Sequence, residues 1–193
     1  MVRMSSLLVA VVGVLAFAVP ATANAAVPTL QEQFGTPVKT GTTILGVGSE
    51  VTLTSTTIGE VSCYSIVLEG VVSVNDMTNG ITGGNSGQKG PPTMDCTNGS
   101  NTVNVTNVTL TDLKSSVGGE MLASFNAELD IGASTKCTYK GTDVKGTYAN
   151  GGTVVTFSDA TGVTSSPPAC GVAKLDGEFT LELANGRPVK GVF

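Results

Sequence analysis

The chain has no histidine and no tryptophan, and only 5% of its 193 residues are aromatic. Without histidine, neither a Ser-His-Asp nor a Cys-His catalytic set can be assembled. The imidazole ligands common in zinc sites are missing too. Without tryptophan, a sugar-binding cleft would lack its usual stacking platforms. Charged residues make up 13% of the chain and the net charge is −5. That balance argues against nucleic acid and anionic membrane as partners, since both select basic surfaces. Amphipathic runs at helical spacing are also missing.

What is present starts with an address. Met1-Val2-Arg3-Met4 carries one positive charge, an apolar run follows from Leu7 to Val19, and Ala23-Asn24-Ala25 supplies small residues. These are the n-region, h-region and A-x-A site of a secretory signal, with cleavage expected after Ala25. The apolar run is shorter than the roughly 20 residues a spanning helix needs. No cysteine follows it, so lipid modification is not expected, nor is membrane association after cleavage. The mature chain is expected to be free and extracellular. Residues 1–25 are read as signal peptide, 26–37 as an extended leader and 38–193 as a single β domain.

Four cysteines, Cys63, Cys96, Cys137 and Cys170, remain for an oxidising compartment. An even count after a signal reads as two disulfides. Three pairings are possible. Equal spacings of 33 residues favour Cys63 with Cys96 and Cys137 with Cys170. No two cysteines are close enough for a zinc knuckle, so no metal and no cofactor is expected.

Thr, Val and Ile lie between Gly, Asn and Ser punctuation, the composition of strands joined by turns. The cleanest alternation runs from Met121 to Ile131. Met121, Ala123, Phe125, Ala127, Leu129 and Ile131 share one face, and Ser124, Asn126, Glu128 and Asp130 the other. A second places Leu175, Phe179, Leu181 and Leu183 inward, with Asp176, Glu178, Thr180 and Glu182 outward. Glu60–Asn75 reads as one long strand with a bulge or tight turn at Gly70. A phase slip between Val105 and Val108 predicts another bulge, and Asn150-Gly151-Gly152 predicts a hairpin turn. The expected fold is all-β: an antiparallel sandwich or barrel of about eight to ten short strands, stapled by two disulfides.

Cys137-x-Tyr139, Gly146-Thr147-Tyr148, Val155-Thr156-Phe157-Ser158, Cys170 and Leu175-x-Gly177-x-Phe179-Thr180 resemble a pattern in small secreted, disulfide-bonded, functionally uncharacterised proteins of actinobacteria. Residues 48–53 resemble the N-terminal half of those proteins. The resemblance implies a lineage and a secreted, β-rich chain, and it brings no catalytic residues.

One pair could host catalysis. Glu128 and Asp130 stand two apart on a strand, so both carboxylates point the same way, about 7 Å apart. Laminarinase-like glycoside hydrolases carry a similar Glu-x-Asp-x-x-Glu strand, but the third position here is Ala133. Solvated outer-face carboxylates account for the pair better. A calcium site from Asp76, Asp95 or Asp159 would lack a ligand-spaced run. Asn98, Asn104 and Asn107 head glycosylation sequons, which in a bacterial protein need mean no more than Asn and Thr on strands and turns. Tyr64, Tyr139 and Tyr148 could line a binding surface, although packing accounts for them more simply. The leading expectation is therefore a secreted, non-enzymatic binding or structural module with an extracellular partner of unknown identity. The alternatives are a small carboxylate-based hydrolase and an enzyme inhibitor presenting the loop 77–92.

Overall fold

The computed structural model describes residues 29–76, 80–84, 86–87, 96–99, 101–116, 118–131 and 135–193. The expected signal peptide lies outside them, as do Asp95 and Ala133. The strands in chain order are β1 (Thr29–Glu32), β2 (Thr43–Ser55), β3 (Gly59–Cys63), β4 (Ile66–Asp76), β5 (Gly80–Gly84), β6 (Ser86–Gly87), β7 (Cys96–Asn98), β8 (Asn101–Ser116), β9 (Glu120–Ile131), β10 (Thr135–Thr147), β11 (Val154–Ser166), β12 (Ala173–Leu183) and β13 (Val189–Val192). A short 3-10 turn at Pro168–Cys170 separates β11 from β12.

The pairings trace an antiparallel circuit. The first half of β2 pairs with β4 and its second half with β3, so β3 and β4 form one arm interrupted at Tyr64 and Ser65. On the far side of that arm, β5 lies against β4 and β7 against β3, and β5, β6 and β7 all pair with β8. From β8 to β12 each strand pairs with the next, and β12 then pairs with β2 from Ala173↔Ser55 to Leu183↔Ile44. That last ladder closes the sheet on itself. Of the two architectures left open by the sequence, this is a barrel. It has eight positions in up-and-down order, and closure pairs β2 and β12, which would otherwise be the edges of the larger sheet, with each other.

Bulges make the closure possible. Glu50, Asp143 and Asp159 have φ of 55°, 47° and 47°, and each sits where its strand carries an extra residue against its partner. A bulge bends the strand and increases its twist. It also switches which residues face inward: Cys137, Tyr139 and Gly141 are buried before Asp143, and Val144 and Gly146 after it. The slip expected between Val105 and Val108 is present between Val105 and Asn107. The one expected at Gly70 lies instead between Val72 and Val74, and Gly70 stays within the ladder. The strands are longer than the short ones expected, reaching 16 residues in β8, because bulges let one strand bend where two shorter ones would otherwise be needed.

A two-stranded sheet of β1 and β13 packs at the barrel end where β4 and β12 finish. Asn75 ties it on: its amide Nδ2 donates to the carbonyls of Leu30 and Val38, and its Oδ1 accepts from the Leu30 N–H at 2.7 Å. Leu30 is fully buried. Residues 29–37 of the stretch read as a leader thus form β1 and the turn after it and belong to the packed body, and the boundary placed at residue 38 falls inside that body. The reason is Leu30 itself, an apolar side chain in a polar stretch. At the opposite end, the carbonyl of Cys170 accepts from Ser55 Oγ at 2.5 Å and from the Tyr139 hydroxyl at 2.8 Å.

Both disulfides join the expected partners. Cys63 faces Cys96 directly across β3 and β7, with Cα atoms 4.1 Å apart, and Cys137 reaches Cys170 with Cα atoms 5.8 Å apart. The equal separations in sequence conceal unlike roles: one bond fastens two neighbouring strands, the other pins the 3-10 turn to the start of β10.

Candidate functional site

The inward faces of the barrel strands line a cavity of about 140 Å³. Its lining extends from Ile44 and Leu181 near the β1–β13 end to Leu53, Val61 and Leu175 toward the other. No side chain in that lining carries a charge or a hydrogen-bonding group apart from the weakly accepting sulfurs of Met121 and the disulfide-bonded Cys63. Such a space has nothing to offer water, which needs two to four polar partners to occupy a cavity.

The strand register explains why the space exists. Eight strands give an interior just wide enough either to be filled by side chains or to hold one small ligand. Here several inward positions are glycines, and rings from the neighbouring strand settle on them. Phe125 lies against Gly141 and Phe179 against Gly48, each its partner across the ladder, and Phe157 lies against Gly146. Phe157 and Phe179 meet edge to face, with centroids 5.8 Å apart and planes at 90°. The rings hug the wall, and the centre stays open. Alternation places Phe125, Leu129, Phe179 and Leu181 inward, as the structure does, whereas no local pattern marks the space they line.

The candidate carboxylates lie elsewhere. Glu128 is exposed and Asp130 half-buried on the outer wall, where Lys136 Nζ comes within 3.6 Å of Asp130 Oδ2. Neither lines the cavity. Asp159 is held by Lys174 Nζ at 3.0 Å, and the side-chain oxygen of Asp176 accepts its backbone N–H at 2.6 Å. Among the described residues no group of three or more His, Cys, Asp or Glu side chains could hold a metal ion.

Asn98, Tyr139 and Tyr148 serve the fold. Asn98 Nδ2 donates to the carbonyls of Ile58 and Glu60, closing the turn between β2 and β3. Tyr139 is fully buried and Tyr148 nearly so, and burial raises the pKa of both phenols, that of Tyr148 to about 12. Tyr64 is exposed at the break between β3 and β4. The stretch 77–92 is not one exposed loop: residues 80–84 and 86–87 are strands β5 and β6, paired into the barrel wall against β8, and its other residues lie outside the described ones.

These features define a closed, antiparallel β-barrel with an apolar interior and polar side chains along its outer wall. No protein-family model, curated protein or solved structure matches the chain. The two disulfides point to an oxidising environment, and among the described residues no helix is long and apolar enough to cross a membrane.

Proposed function

We propose that the chain is a secreted, non-enzymatic binding protein that holds an apolar ligand inside its barrel. The carrying observation is the cavity of about 140 Å³ lined by hydrocarbon and two sulfur-bearing side chains. Filling it would remove the ligand's apolar surface from water at about 25 cal/mol per Å² and give the dry wall atoms contacts they otherwise lack. Secretion rests on the N-terminal signal pattern, and the actinobacterial lineage on the resemblance of residues 137–180. The outer wall supports a freely diffusing protein: Glu128 on β9, Lys136, Lys140 and Lys145 on β10 and Glu178 on β12 are exposed, where a lipid-facing barrel needs an apolar band. The carboxylate hydrolase has less support, because Glu128 and Asp130 stand on that convex wall and Lys136 neutralises one of them.

The test uses the mature chain purified from culture medium with its disulfides intact. Saturable, one-to-one binding of apolar compounds is expected, with competition among them. Ala123→Leu, which adds bulk to the lining, should abolish it while the amide spectrum stays dispersed. A folded protein that binds no apolar compound of any shape overturns the reading.

A further inference from the structure

We infer that the barrel interior selects a small, uncharged aromatic ring, with straight chains and acids excluded; this rests on the binding role proposed above. Three observations carry it. The first is size. The cavity, at about 140 Å³, falls near the roughly 150 Å³ of an engineered apolar protein cavity that takes up benzene, so one ring fits and a long chain does not.

The second is the chemistry of the wall. Every lining group is hydrocarbon or sulfur, so a carboxylate or hydroxyl brought inside would lose its water and gain no partner. The third is the presence of rings. Phe125, Phe157 and Phe179 all line the cavity, and the Phe157–Phe179 pair already adopts the edge-to-face geometry that a guest ring could extend. Met121, fully buried in the same lining, adds a polarisable thioether of the kind that favours ring edges. Gly46 and Gly70 also line the space, and a methyl group on Gly70 would come within 3.3 Å of Leu110 Cδ2. Glycine at these positions keeps the wall smooth where a flat molecule would lie.

The experiment titrates the full mature chain with benzene, toluene, n-hexane, phenol and hexanoate, read by methyl resonances of the lining and by the shift in thermal midpoint. Benzene and toluene should bind at least tenfold more tightly than n-hexane and phenol, and at least a hundredfold more tightly than hexanoate. The largest methyl shifts should fall on Met121 and Leu110. Glu128→Gln, on the outer wall, should leave this order unchanged. Preference for n-hexane or hexanoate over benzene overturns the aromatic assignment while leaving an apolar-binding barrel in place. Binding of none of the five overturns the aromatic assignment, and the binding role falls with it when no other apolar compound binds either. Tight benzene binding that persists unaltered in Ala123→Leu places the ligand outside the barrel and also overturns the inference.

Discussion

Phe179 lies over Gly48, its direct partner across β12 and β2, so closely that a Cβ on Gly48 would stand 2.8 Å from Phe179 Cε1. The same Cβ would meet Val51 Cγ2 at 2.8 Å. This is one of several ring-on-glycine seats in the barrel, and it joins the two strands whose pairing closes the circuit.

Gly48→Ala should therefore destabilise the fold. The φ of Gly48 is ordinary, so the cost is overpacking alone, about 1–3 kcal/mol. A urea unfolding midpoint lowered at unchanged slope would agree with this. An unchanged midpoint would show that Phe179 yields freely and that the seat is loose.

Phe125→Ala should cost about 3–5 kcal/mol, since Phe125 is buried and loses both its transfer energy and its packing. It should also enlarge the cavity it lines, so that naphthalene-sized ligands bind the variant and not the parent. Unfolding curves and ligand titrations on the same sample read both effects. A destabilised variant with unaltered ligand size preference would separate Phe125 from the binding space.

Loss of the disulfides should be severe. Each closes a loop of 33 residues, worth about 3–4 kcal/mol in the chain-entropy model, and the two together about 7. That is comparable to the whole net stability of a typical domain. Replacing Cys137 and Cys170 by Ala should also free the Cys170 carbonyl from its position against Ser55 and Tyr139. The Tyr139 phenol should then become accessible in a solvent-perturbation spectrum. A double variant with unchanged midpoint and a shielded Tyr139 would show that the 3-10 turn is held without its bridge.

The strands legible in the sequence are those that keep one phase. β9 alternates from Met121 to Ile131 because the extra residues at its two ladders belong to β8 and β10. Along β10, inward positions switch parity at Asp143, so Tyr139 and Val144 cannot be placed on one face by counting. The positive φ of Glu50, Asp143 and Asp159 left no trace, because acids at these positions look like ordinary outer-face residues. A usable signal did exist for the ring seats: Phe125 and Gly141 lie equally far in sequence from the midpoint between β9 and β10, so hairpin register alone pairs them. The cavity had no such signal. It is the space left when two walls fail to meet, and closure of β12 onto β2 is a long-range fact that no local pattern carries.

Tyr148 supplies the last prediction. Its ring lies on Gly191 and meets Phe193 edge to face at 5.7 Å, and its buried hydroxyl has no hydrogen-bond partner among the described residues. Burial disfavours the phenolate and raises its pKa from 10.0 to about 12. Because the folded state holds this proton more tightly than the unfolded chain does, its contribution to stability is complete below about pH 10. It is lost as pH rises from there toward 12, where the unfolded chain has ionised and the folded protein has not. Tyr148→Phe removes both effects at once. The variant should equal or exceed the parent at pH 7, by up to about 1–2 kcal/mol, since a buried hydroxyl without a partner carries an uncompensated desolvation cost. Its advantage should then widen between pH 10 and 12, where only the parent has this phenol to ionise on unfolding. Urea midpoints of both proteins at pH 7, 9, 10.5 and 11.5 test this. A variant clearly less stable at pH 7, or a gap that narrows above pH 10, would mean that the hydroxyl finds a partner in solution.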